Sequence, residues 1–179
     1  MSKILFISGS PRQGNCEFLI KKIHDSITSD KEIILLRNKN IKNCIGCLSC
    51  HNEFNCVTKD DMRNIYKSLV SADMIIIATP NYFDNVSGLL KNFIDRIHPF
   101  YKFPKLKDKK IILLIVGGGK IEGSLEYLKK NTEGLIKYLK LNLIGSFGFE
   151  ALNNNDLKSD KNFDNEIKNI IDTINSNLK

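Results

Sequence analysis

The chain has no tryptophan, and its lysines are scattered from end to end, with no dense basic run interleaved with aromatics. A nucleic-acid surface is therefore not expected, despite the net charge of +7. Diffuse positive charge instead steers anionic ligands, phosphorylated cofactors among them. Long hydrophobic runs are also missing. The longest, Ile111 to Val116, falls far short of the ~20 residues that span a bilayer. Ile4 to Ile7 is too short for a signal-peptide core. A cytoplasmic protein with no membrane partner is expected, and in the cytosol thiols stay reduced. The five cysteines then read as ligands or redox groups and not as structural disulfides. No internal repeat, low-complexity tract or linker breaks the 179 residues. With 42% hydrophobic and 26% charged residues, one globular domain over 1–179 is expected.

What is present alternates short apolar runs with amphipathic stretches. Ile4 to Ile7 reads as a buried strand, followed by the turn Gly9-Ser10-Pro11. A helix follows with Phe18, Leu19, Ile20, Ile23 and Ile27 at helical spacing. Ile33 to Leu36 is a second strand, and residues 41–58 form a cysteine-rich loop. Thr58 and Asp61 have the spacing of a capping box ahead of a helix with Met62, Ile65, Tyr66, Leu69 and Val70 inward. Met74 to Ala78 is a third strand, continuous as in a sheet covered on both faces, and Pro80 ends it. Ser87 caps a helix with Leu89, Leu90, Phe93, Ile94 and Ile97 inward. Ile111 to Val116 is the fourth strand, ended by Gly117-Gly118-Gly119. A helix over 124–140, a fifth strand from Leu141 to Phe149 and a last helix over 163–178 complete the pattern. The segment Asn153-Asn154-Asn155-Asp156 is polar and expected to be mobile. Five strands alternating with five helices specify an α/β fold with a doubly wound parallel sheet. In such sheets ligands sit at the carboxyl ends of the strands.

The first strand runs into Ser8-Gly9-Ser10-Pro11-Arg12-Gln13-Gly14-Asn15. Such a loop can aim backbone N–H groups and hydroxyls at one phosphate, with the next helix N-terminus and Arg12 adding positive charge. It lacks the dinucleotide G-x-G-x-x-G and the P-loop Gly-Lys-Ser/Thr ending, so a mononucleotide is indicated. The bland alternative is a plain strand–helix turn. After the third strand, Tyr82 and Phe83 could wall a planar ring, or could pack under the next helix. The three glycines after the fourth strand permit close backbone approach, or form only a flexible turn.

Cys44, Cys47, Cys50 and Cys56 form C-x2-C-x2-C-x5-C. Three closely spaced cysteines can wrap one side of a cubane cluster, and a fourth closes it. Zinc ribbons use two separated pairs. The spacing favours [4Fe–4S], with zinc, free thiols or a reversible disulfide as alternatives. His51 reads as an exposed loop residue. Cys16 is either a small core residue or a thiol whose pKa the helix end lowers. With the second strand beside the first, the cysteine loop is expected to share the functional edge with the phosphate loop.

Taken together these pieces resemble the iron–sulfur flavoproteins within the NADPH-dependent FMN reductase-like branch of the flavodoxin superfamily. The matching segments are Ser8 to Arg12 with Gly14-Asn15, the cysteine motif running into Asp60-Asp61-Met62, Pro80 to Phe83 with Val86-Ser87-Gly88, and Leu90 to Arg96. They lie within residues 3–120. The resemblance implies strand order 2-1-3-4-5 and bound FMN. It places the phosphate at Ser8, Ser10, Arg12, Asn15 and Cys16, with Pro11 and Gly14 also in the cofactor site. The ring is placed at Pro80, Asn81, Tyr82, Phe83 and Asn85, and at Gly117, Gly118 and Gly119. It further implies a homodimer or homotetramer, with the cluster of one subunit serving the flavin of its neighbour. Electrons would pass from NAD(P)H or ferredoxin through cluster and FMN to an unknown acceptor, with no essential side-chain acid or base. A simple NAD(P)H-dependent FMN or quinone reductase without a cluster, a cofactor-bearing electron carrier, and a zinc or redox-switch module are the competing readings. Two departures stand out: Cys16 replaces a hydroxyl residue, and Asn81 replaces an apolar one. Asp95-Arg96 reads as a helix-end ion pair.

Overall fold

Residues Lys3–Ser8 (β1) and Met74–Pro80 (β3) are interior strands, and nearly every residue of both is buried, as befits strands covered on two faces. Asp30–Leu35 (β2), Lys110–Gly117 (β4) and Asn142–Glu150 (β5) complete one parallel sheet in the order β2-β1-β3-β4-β5. The computed structural model describes residues 2–178. The helices are Asn15–Asp25 (α1), Met62–Ser71 (α2), Gly88–Arg96 (α3), Pro99–Lys102 (α4), Ile121–Leu139 (α5), Asp156–Ser159 (α6) and Phe163–Asn177 (α7). The one-turn helices α4 and α6 add to the five expected ones.

The period-2 alternation of a strand divides the core into two layers. Leu5, Ile7, Ile75, Ile77, Leu113 and Ile115 face α2, α3 and α5. Ile4, Phe6, Ile76, Ile112, Leu114 and Val116 face α1 and α7. The register aligns Ile7 with Ile34 on one side and Ile77 on the other.

Several expectations need correction. β2 ends at Leu35 and Leu36 opens a 3-10 turn. Val70 is exposed and outside the α2 stripe. The capping box does not form. Asp61 precedes α2 without a side-chain cap bond, because its Oδ2 accepts from the Asn40 N–H at 2.7 Å. Asp60 Oδ1 accepts the Met62 N–H instead. Ser87 does cap α3, accepting from the Leu90 N–H. The 153–156 segment is tied down, with Asp156 Oδ2 accepting from the N–H groups of Leu152 and Asn153.

Phe93 has no exposed surface and lies in the layer beneath α3. Phe93→Ala is expected to cost about 3–5 kcal/mol of unfolding free energy in a urea titration. A loss below ~1 kcal/mol would show that this face is not close-packed.

Candidate functional site

The loops after β1, β3 and β4 meet at the carboxyl edge of the sheet. Gly9 N–H donates to Ala78 O at 2.8 Å, and Ser87 Oγ donates to Gly9 O at 2.5 Å. The hydroxyl that caps α3 therefore also fastens it to the first loop. A Cβ at Gly9 would lie 2.7 Å from Leu90 Cβ, so only glycine fits there. Ser8 and Ser10 are buried, and the Ser10 hydroxyl braces its own loop through Arg12 O at 2.7 Å and the Arg12 N–H. Pro11, Arg12 and Gln13 are exposed. Gly14 supplies no side-chain cap to α1, which leaves first-turn N–H groups for an anion. Asn15 Nδ2 donates to Asn153 O at 2.8 Å, and Asn15 Oδ1 is buried without a partner.

The alternatives for Cys16 resolve toward the core. It is 4% exposed, and burial pushes its thiol up to about 12. The wall built by Leu152, Asn153 and Asn154 was missed in the sequence. Asn154 stands 2.9 Å and Leu152 2.6 Å from where Cβ atoms of Gly14 and Gly118 would be. Their position directly after β5, on the edge where the other loops lie, was the available signal.

Tyr82 and Phe83 do not pack under α3: Tyr82 is 44% exposed and Phe83 fully so. Phe83 and Asp84 hold left-handed backbone, φ 54° and 56°, at the tip of a turn closed by Tyr82 and Asn85. Gly117 lies against Asn81, and Ser124 of α5 bonds both Asn81 and Asp84. This edge fits FMN chemically. It offers donors for a phosphate, exposed aromatic walls for a ring, and two buried acceptors, on Asn15 and Asn81, that still lack a donor.

The cysteine loop is not at this edge. Its neck is laced by Asp61 to Asn40 and by Asp60 Oδ2 to the Lys42 N–H. From there it descends along α3: Asn92 Nδ2 donates to Ile41 O, Arg96 to Lys42 O, and Cys50 Sγ lies 3.6 Å from His98 Nδ1. Arg96 lies eight residues beyond Gly88, about 12 Å down the helix axis. Because α3 runs antiparallel to the strands, that end adjoins the opposite edge. The expected sharing of one edge within a chain is thus corrected.

All four motif cysteines line a single cleft of about 660 Å³, walled by Tyr101 and Tyr138 among others. None is in a disulfide. The Cys50 thiol is pushed up by burial and by the thiols of Cys56, Cys44 and Cys47. His51 stacks on His98 with ring centroids 4.9 Å apart. Among the described residues, no three His, Cys, Asp or Glu side chains converge closely enough to hold a metal ion. The donor set itself, four thiols on one apolar-walled cleft, suits an iron–sulfur cluster.

Arg96 does not pair with Asp95, which bonds Lys91. It pairs with Asp60, at 2.6 Å and 3.1 Å, with side chains 1% and 0% exposed. Its second nitrogen also reaches Cys56 Sγ at 3.5 Å. Burial alone would raise the Asp60 carboxyl, but hydrogen bonds from Arg96, Lys42 N–H and Met62 N–H outweigh it and hold the carboxyl below its ordinary range.

Arg96→Leu leaves the buried Asp60 carboxylate without its counter-charge, and is expected to cost about 3–5 kcal/mol in urea unfolding. The Arg96→Leu/Asp60→Leu double variant buries no charge and is expected to recover part of that loss. A depressed carboxyl stabilises fully above its ordinary range and loses its contribution as pH falls through the depressed value. Acid sensitivity of wild type should therefore exceed that of the double variant. Equal acid unfolding curves would contradict the assignment.

A family model described as NADPH-dependent FMN reductase matches residues 2–147. An iron-sulfur flavoprotein of Archaeoglobus fulgidus is 35% identical over 128 residues, covering 70% of this chain and 63% of the relative. One of Methanocaldococcus jannaschii is 36% identical over 125 residues, covering 68% of this chain and 65% of the relative. The chain thus spans less than two thirds of the length of these relatives. Among solved structures, an NADH:FMN oxidoreductase in apo form superposes with TM-score 0.71 at 22% identity, over 100% of this chain and 91% of that one. The Trp repressor binding protein of Bacillus subtilis gives 0.72 at 23% identity, over 95% and 99%. At such identities the likeness establishes the flavodoxin-like fold alone. The family model, covering most of the chain, establishes more: the protein belongs to the NADPH-dependent FMN reductase family.

Proposed function

We propose that this chain is an FMN-dependent oxidoreductase whose cysteine cleft holds a [4Fe–4S] cluster. The observation that carries the flavin part is the meeting of three loops at one sheet edge, with unfilled donors at the start of α1 and unpartnered acceptors on Asn15 and Asn81. The phosphate would lie against the backbone of Ser8 to Cys16 and the Arg12 guanidinium. The ring would lie among Pro80, Asn81, Tyr82, Phe83, Asn85 and the Gly117-Gly118-Gly119 loop. FMN supplies the redox chemistry when bound, and the protein binds and orients it. Cys44, Cys47, Cys50 and Cys56 are the proposed cluster ligands, with Arg96 donating toward Cys56.

Cleft and flavin edge lie at opposite ends of α3. That supports a homodimer or homotetramer in which the cleft of one subunit meets the flavin edge of another. NAD(P)H or ferredoxin is the proposed donor, and the cytoplasm the proposed location. Among the described residues no helix is long and apolar enough to cross a membrane. A cluster-free NAD(P)H-dependent FMN or quinone reductase is the second reading. It is favoured by the family model described as NADPH-dependent FMN reductase, which matches residues 2–147.

Arg12→Ala is expected to weaken FMN about tenfold, as for loss of one exposed charge-assisted hydrogen bond, while riboflavin binding stays unchanged. Quenching of flavin fluorescence measures both. Equal loss for both ligands would move the phosphate elsewhere. Steady-state turnover with NAD(P)H and a quinone separates an enzyme from an electron carrier, since a carrier gives none.

A further inference from the structure

Asn81 follows β3 directly and stands between the two loops proposed for the flavin ring. Its N–H donates to Val116 O at 2.7 Å, and a Cβ at Gly117 would lie 2.5 Å from its own Cβ. Its side chain starts a chain of three groups. Asn81 Nδ2 donates to Ser124 Oγ at 2.8 Å, and Ser124 Oγ donates to Asp84 Oδ1 at 2.6 Å.

The direction of these bonds is forced. A carboxylate only accepts, so Ser124 gives its single proton to Asp84 and offers Asn81 only lone pairs. Asn81 must answer with its NH2, and the amide is fixed one way round. Its oxygen, Oδ1, is left buried with no hydrogen-bond partner. A buried acceptor left unmade is unfavourable. Asp84 also sits at φ 56° next to Phe83 at 54°, a region uncommon outside glycine. An orphaned acceptor and a strained turn in the same loop are features that persist where a ligand completes a site.

We propose that Asn81 Oδ1 accepts a hydrogen bond from an N–H of the bound flavin ring, with Asp84, acting through Ser124, as the positioning residue that fixes the amide. The inference rests on the FMN reading of this edge. Oxidised flavin carries one such N–H, at N3, and two-electron reduction adds one at N5 and, when a second proton is taken up, one at N1. N3–H is separable from the added groups, because only a bond to an added group changes the balance between oxidised and reduced ligand.

The test titrates FMN into apoprotein by fluorescence quenching and measures the midpoint potential of the bound flavin. If the donor is N3–H, Asn81→Ala binds oxidised FMN about fivefold to tenfold more weakly, with the potential unchanged. If it is an added N–H, oxidised FMN binds as before. A fivefold loss of the reduced form then lowers the potential by about 20 mV, at ~30 mV per tenfold for a two-electron couple. Asp84→Gly removes the carboxylate yet suits the left-handed turn, and reproduces most of whichever effect is seen. Asp84→Asn can present either its oxygen or its NH2 to Ser124, so the Asn81 amide is no longer held one way round and an effect between wild type and Asp84→Gly is expected. The Asn81→Ala/Asp84→Gly double variant is no worse than Asn81→Ala, because the two residues act as one unit. Should Asn81→Ala not fold, Asp84→Gly and Ser124→Ala carry the same readouts. Wild-type affinity and potential in these variants overturn the proposal. Failure of the unaltered protein to bind FMN is a different result, and overturns the flavin reading together with it.

Discussion

Arg96 and Asp60 lie 36 residues apart and form an ion pair almost wholly shielded from water. Removing two charges from water is costly unless every polar partner is well placed. Here the guanidinium is shared between the Asp60 carboxylate, the Lys42 carbonyl and the Cys56 sulfur. Asp60 in turn accepts the N–H groups of Lys42 and Met62. One pair thus fixes both ends of the cysteine loop, the start of α2 and the far end of α3. The loop has two apolar anchors packed against the core, Ile41 and Phe54, while Ile45, Leu48 and Val57 are exposed along the cysteine cleft. The polar knot sets the loop's course together with these anchors.

The same helix is fastened at its other end by Ser87, whose hydroxyl accepts from Leu90 and donates to Gly9. α3 is therefore a strut between two sites. At one end are the loops after β1, β3 and β4, and at the other the cysteine cleft. Coupling between them inside one chain has to run about 12 Å along that strut. The proposed assembly of subunits would bring the cleft of one chain to the proposed flavin edge of another.

Much of this was legible in the sequence. Continuous runs such as Met74 to Ala78 and Ile111 to Val116 specify buried parallel strands, and the structure sets them side by side. Ser87 was readable as a cap because capping is local. The capping box at Thr58 and Asp61 failed because Asn40, distant in sequence, competes for the Asp61 carboxylate. Arg96 was assigned its chain neighbour when its partner lies across the fold. Ser124 carries no local signal, since it matters only through contacts made by the tertiary structure. The cysteine spacing marks that loop as a candidate ligand set, while its direction along α3 depends on Arg96 and Asn92.

The central claim is that one chain carries two redox groups, a flavin at the sheet edge and an iron–sulfur cluster in the cysteine cleft. The direct measurement is the visible spectrum of protein purified without oxygen, with iron, sulfide and FMN assayed on the same sample. Flavin bands over a broad shoulder near ~400 nm, with about four irons and four sulfides per chain and equimolar FMN, are expected. Flavin bands without iron or sulfide would contradict the cluster and leave a simple FMN reductase.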